Sequence, residues 1–410
     1  MVSSINTSRI LFFVALWLAA SALSVSQTAG RQASPSQSQD RQLQQAANEL
    51  SAGKLDQAAQ DLQAVLHSDP EDYRALDLLG VVRVLQHREA DAQGLFEQVV
   101  KARPEFAAGR AHLGLLYLHL GRDQNALPEL RQALRLDSSR TDVAAALAHV
   151  LEGEAKAASA AGDLNGALGF LIEAREHAPD NADVQFEFGV AAHKLSLDDD
   201  AIEAFRQTLK LRKNDAPALY DLGFALMDRA RFEDARLRFA QYVELRPDDP
   251  SGHCALGMAL AALEQSQLAR AQFEISIRLA STQSESYYRL GLLDLNAGEY
   301  DAAAQHLQEA LEHKPNDGDA LTALGKVEFE QRHYPNAISL LQQAVSQDDS
   351  IQEAQYYLGL ALARVGRQEE SNQHLESAAR LEQEQKGRSR NLLRLRKPES
   401  FGKQEPDPPQ

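Results

Sequence analysis

The sequence returns to the same phrase every 34 residues. LGLLDLNAGEYDAAAQHLQEALEHKP, from Leu290 to Pro315, aligns with LGLLYLHLGRDQNALPELRQAL, from Leu113 to Leu134. Extended along the chain, the alignment gives ten units starting at Gln39, Tyr73, Ala107, Thr141, Ala182, Ala216, Pro250, Ser284, Gly318 and Gln352. Only the fourth, 141–181, departs, with 41 residues. Each unit holds enough chain for two short helices and a turn. One such hairpin cannot bury its own apolar face, so the units must stack on one another.

Three positions fix the register. The eighth is small: Ala46, Gly80, Gly114, Gly189, Gly223, Gly257, Gly291, Gly325 and Gly359, with Ala155 in the long unit. The twentieth is alanine from Ala58 to Ala337 and Ser371 in the last unit, and four residues later comes a large apolar side chain such as Phe96, Phe239 or Leu341. Glycine inside a helix costs about 1 kcal/mol relative to alanine, so eight of them in phase need a compensating contact. A close crossing of the two helices of a unit supplies it, with the Phe or Leu filling the groove beside the crossing. Five units place proline near their end, at Pro70, Pro104, Pro179, Pro247 and Pro315, where it is expected to stop the second helix.

This set of positions resembles the tetratricopeptide repeat, whose period is the same, over about 85% of the chain. The resemblance implies an all-α fold, an α-solenoid of antiparallel helix pairs in a right-handed superhelix that binds a protein or peptide partner. It directs attention to the inner surface, built from the second, fifth, ninth, twelfth and thirteenth positions of the first helices. Chaperone-binding members carry Lys at the fifth and Asn at the ninth to clamp a C-terminal carboxylate, and no unit here has either. Instead the fifth positions include Phe186, Tyr220, Cys254, Tyr288, Thr322 and Tyr356, the ninth include Val190, Phe224, Met258, Leu292 and Lys326, and the twelfth Met227 and Phe329. One reading packs these residues between neighbouring first helices. The other makes them a groove for an extended or helical apolar segment, with tyrosine hydroxyls and an acidic rim giving selectivity. The fifth-position aromatics are expected to be the most exposed.

Chemistry other than binding finds little support. The net charge is -17, and without Arg9, Arg31 and the seven basic and three acidic residues from 386 on, the middle of the chain carries 33 basic and 56 acidic residues. Such a body repels phosphate backbones, so no nucleic-acid partner is expected. Cys254 is the only cysteine, which excludes an internal disulfide and reads as a small buried hydrophobe. The twelve histidines show no recurrent spacing to carboxylates; His112 and His119 lie two turns apart on one helix. Asp198, Asp199 and Asp200 suit a helix N-terminus. No phosphate loop, nucleophile elbow or paired-carboxylate motif stands out. No catalytic, cofactor or metal residues are therefore expected, and no enzyme.

The ends read differently from the middle. Ile10 to Leu23 is an apolar run of 14 residues behind Arg9, within the range of a signal-peptide core and short of the roughly 18 to 20 that span a bilayer. Residues 1–29 are expected to be a signal peptide or, alternatively, an uncleaved anchor, 30–38 a disordered spacer, and 39–385 the solenoid. Residues 386–410 read as a basic, then Pro-rich disordered tail, solvated or lying on an anionic membrane or an acidic partner. The seven extra residues of the fourth unit amount to two helical turns. They form either an overhang or a ledge dividing units one to three from five to ten. The expected function is an exported, non-enzymatic scaffold that binds a partner segment in the concave groove. The alternative is a membrane-associated envelope assembly or secretion factor held by an uncleaved N-terminal helix or the basic tail.

Overall fold

The computed structural model describes residues 35–396, with side chains from 38 to 384 and at Lys386. The segment 1–29, expected to be a signal peptide or anchor, lies outside the described residues, among which no helix is long and apolar enough to cross a membrane. The chain divides into two compact bodies, Met1–Lys213 and Asn214–Gln410. In the first body the helices are α1 (Pro35–Ser51), α2 (Leu55–Ser68), α3 (Tyr73–Leu85), α4 (Glu89–Ala102), α5 (Ala107–His119), α6 (Asp123–Leu136), α7 (Thr141–Ala160), α8 (Leu164–His177), α9 (Ala182–Lys194) and α10 (Asp198–Leu211). In the second they are α11 (Ala216–Asp228), α12 (Phe232–Leu245), α13 (Pro250–Ala262), α14 (Ser266–Leu279), α15 (Ser284–Ala297), α16 (Tyr300–His313), α17 (Gly318–Glu330), α18 (Tyr334–Gln347), α19 (Gln352–Arg364) and α20 (Gln368–Arg396). No strand occurs among the described residues. The architecture is all-α, built of consecutive helix pairs, two per repeat unit.

The expected crossings form. In the first body a Cβ added to Gly189 would lie 2.6 Å from Cε1 of Phe205, and in the second one added to Gly325 would lie 2.6 Å from Cγ of Leu341. Phe96, Phe205, Phe239, Phe273, Leu307 and Leu341, which fill these grooves, are among the largest fully buried side chains. Close helix approach thus offsets the helix propensity that glycine forfeits.

The turn inside each unit puts one residue at positive φ, the fifteenth in every unit but the long fourth, where the seven extra residues make it the twenty-second. Glycine holds that place at Gly53, Gly121, Gly162, Gly298 and Gly366, while His87, Ser196, Ala230, Glu264 and Arg332 adopt it with a Cβ. Every second helix except the last is 14 residues long whether or not proline follows: α4 ends at Ala102 before Pro104, and α6 ends at Leu136 with Asp137 and Ser138 next. Proline is therefore not what stops them. After α6, Asp137 turns extended while its N–H still reaches back four residues to the Ala133 carbonyl at 2.9 Å.

A polar link recurs at the fourth position of several first helices. Arg110 donates to the Pro104 carbonyl at 2.6 Å and to Glu129, and Gln355 donates to the Asp349 carbonyl at 3.1 Å while meeting His374. His253 joins the Pro247 carbonyl and Gln272 in the same way. Each side chain thus ties the end of the preceding unit to the second helix of its own. Gln185 donates to the Pro179 carbonyl at 2.8 Å, but Ala204 stands where the second partner would be, and the buried Gln185 Oε1 has no hydrogen bond.

Three boundaries differ from expectation. The first helix begins at Pro35, inside the segment 30–38 read as a spacer, because proline is well suited to a first helical turn. The basic stretch from 386 is helical as far as Arg396, its Leu and Arg residues being good helix formers with the next proline only at Pro398. The longer α7, 20 residues against 13 in α9, does not divide the chain. Lys156, on its extension, pairs with Glu152 at 2.6 Å and reaches Glu187 of α9 at 3.5 Å, so the extra turns are tied into the first body.

Candidate partner-binding face

In the first body, Phe186 and Val190 lie half-buried on α9, with the Phe186 ring 5.8 Å from Phe205. The remaining candidates lie in the second body, where three of them come together. Tyr220 and Phe224, one turn apart on α11, meet edge to face at 5.0 Å. Phe239 and Tyr242 of α12 support them from behind, at 5.1 Å from Phe224 and 5.0 Å from Tyr220 respectively. Met258 comes from the next first helix, α13, and together with Cys254 and Ala255 completes an apolar floor.

This floor underlies a 260 Å³ cavity whose rim is polar: Ser251 from the start of α13, Gln283 from the turn before α15, and Glu285 from its first turn. Glu285 accepts a hydrogen bond from Nε of Arg289 at 2.6 Å. Burial pushes the Tyr220 phenol up to about 12, helped by the neighbouring Cys254 and by Asp249 and Asp221. Burial likewise raises Tyr242 to about 12, with its hydroxyl donating to the Asp249 carboxylate. The same Asp249 caps α13 by accepting from the Ser251 N–H at 2.9 Å. Both tyrosines stay neutral across the physiological range; the Tyr242 hydroxyl is taken up by Asp249, while Tyr220 lines the cavity.

The fifth position is not uniformly open. Cys254 is 6% exposed and Thr322 is buried, its hydroxyl bonded to the Gly318 carbonyl at 2.6 Å. Phe186, Tyr220 and Tyr288 are half-buried, and only Tyr356 stands out, at 43%. At Tyr220 the second helix of the same unit contributes, the Tyr242 ring lying 5.0 Å away.

The other candidates pack separately. Tyr288 and Leu292 lie against the cluster of Ala303, Leu307, Leu324 and Val327, between two units, and burial raises Tyr288 to about 12. Phe329 sits between Tyr334 and Tyr357 at 5.7 and 5.6 Å. Burial works against the charge of Lys326, but its 2.8 Å bond to Glu353 outweighs that and raises the ammonium above its ordinary range. Lys326 also rests on the Tyr357 ring at 5.1 Å. Met227 is half-buried, outside the lining of the cavity. Sequence reasoning missed the rim and the support. Ser251 and Glu285 occupy second positions, already part of the inner set. Gln283 in a turn and Tyr242 on a second helix carry no signal of their own.

Tetratricopeptide repeats match residues 43–92, 86–141, 153–216, 288–350 and 322–384, more than half of the chain, and a second form of the repeat matches 199–263. The chain is a tetratricopeptide repeat protein. No curated protein matches this sequence. Solved structures similar to this repeat protein include MamA, from residue 41 to its end, of Desulfovibrio magneticus RS-1. It is 22% identical over 42% of this chain and 96% of that one, with a TM-score of 0.40. The anaphase-promoting complex hetero-tetramer Cut9-Hcn1 is 13% identical over 84% of this chain and 93% of that one, at a TM-score of 0.46. Yeast Tom70 is 15% identical over 82% and 83%, at 0.43.

Proposed function

We propose that this tetratricopeptide repeat protein is an exported, non-enzymatic scaffold that holds a segment of a partner protein on the first helices of its second body. The observation that carries the reading is the cavity between α11, α13 and the start of α15. Its floor is aromatic and sulfur-bearing, its rim polar, and its volume 260 Å³. Pockets for small ligands start at roughly 300 Å³, so this one suits a single amino-acid side chain better than a cofactor. Tyrosine and other aromatic anchors are the residues in which binding energy concentrates. The repeat runs through the body of the chain, which supports a scaffold over an enzyme, and the apolar run Ile10 to Leu23 supports export.

A random-peptide library displayed on phage and panned on the full chain tests this reading. Peptides retained by the parent should be lost on a Met258→Trp variant, which fills the cavity from its floor, provided helicity is unchanged by circular dichroism. No enrichment, or enrichment indifferent to Met258→Trp, would remove this face from the account.

A further inference from the structure

We infer that the cavity in the second body takes a large apolar side chain from a partner segment whose neighbouring residues are Lys or Arg. This rests on the partner-binding reading above and specifies the chemistry of the segment. The floor of Tyr220, Phe224, Cys254, Ala255 and Met258 presents rings, a thiol and a thioether, surfaces that gain most from covering by an apolar group. The rim is where the sign of charge is set. Of the residues that line the cavity, Glu285 is the only charged one, and its side chain is 46% exposed. Arg289, one turn along α15, engages one of its carboxylate oxygens, Oε1.

The surroundings tilt the same way. Asp249 and Asp221 add negative charge beside Tyr220 and raise its phenol further, and Asp249 is held there by the Tyr242 hydroxyl and the Ser251 N–H. Residues 214–384 carry 28 acidic and 14 basic side chains. A cationic segment is drawn to such a face, an acidic one is repelled, and phosphate-bearing surfaces are repelled too. Gln283 and Ser251 add uncharged hydrogen-bonding groups at the mouth, suited to the main chain of an extended segment.

The test uses the full chain and three fluorescein-labelled peptides: GSRLFRLKGS, its apolar-to-alanine form GSRAARAKGS, and its charge-reversed form GSELFELEGS. By fluorescence anisotropy in low salt, the first should bind, and each of the others at least about tenfold more weakly. Glu285→Gln should weaken the first peptide by about two- to fivefold, and added salt should shrink that difference. Glu285→Lys should move the preference toward GSELFELEGS. Met258→Trp should abolish binding of the first peptide. If GSELFELEGS binds as well as GSRLFRLKGS and both are lost on Met258→Trp, the charge preference is overturned while the partner-binding face stands. If GSRAARAKGS binds equally well, the cavity is not an anchor and only diffuse charge is at work. If all three ignore Met258→Trp, both readings fall together.

Discussion

A Cβ built on Gly257 would lie 2.6 Å from Cε1 of Phe273, sixteen residues further along the chain. Helix propensity alone favours alanine over glycine by about 1 kcal/mol. At this separation the ring must move, and overpacking of that kind costs about 1 to 3 kcal/mol. Gly257→Ala should therefore fail to stabilise the second body, and Gly257→Leu should lower its unfolding midpoint in urea clearly, followed by circular dichroism. A leucine variant as stable as the parent would show that the helices do not meet there.

The turn at Ala230 makes the opposite prediction. Its φ of 54° lies in the left-handed region that Gly298, at 76°, and Gly366, at 82°, adopt at the same place in other units. A side chain held in this region costs roughly 1 to 2 kcal/mol, partly offset by the greater freedom of glycine in the unfolded chain. Ala230→Gly should raise stability by about 0.5 kcal/mol, and Glu264→Gly should act likewise. A fall in the urea midpoint for both would mean that the turns are not left-handed.

Ser371 occupies the twentieth position, where the other units carry alanine, and its hydroxyl is buried without a hydrogen-bond partner. Leaving a buried polar group unpaired costs about 1 to 3 kcal/mol. Ser371→Ala removes the hydroxyl and keeps the volume of the crossing beside Gly359. It should slow amide exchange in α19 and α20; faster exchange would show that the hydroxyl supports the last pair.

Export makes a spectroscopic prediction. Trp17 is the only tryptophan and lies within the apolar run Ile10 to Leu23. If that run is removed on export, the mature protein emits as tyrosine alone. Tryptophan emission from exported material, with an intact mass that includes the first 22 residues, would favour the membrane-held assembly factor instead.

The eighth, twentieth and twenty-fourth positions were legible because each marks a contact inside one hairpin, between residues a fixed distance apart. Gly189 with Phe205 and Gly325 with Leu341 are such contacts, and period and register suffice to pair them. The site was legible in part. Tyr220, Phe224 and Met258 follow from their positions on first helices, but the fifth position as a class does not stay open, as Cys254 and Thr322 show. Whether it does depends on the neighbours each residue meets, such as the Tyr242 ring beside Tyr220.

The sequence by itself determined the hairpin and how many times it recurs, since the period, the small residues and their apolar partners act over short separations. The tertiary structure alone decided where the chain divides, at Lys213 rather than at the long fourth unit, and that Glu264 and Arg332 accept a left-handed turn. It also decided that the space above Tyr220 stays open while Tyr288 is packed between units. That openness is set by side chains of α11, α12, α13 and the start of α15 together, and a repeat pattern that reads each unit alike carries no information about how neighbours of different size fit.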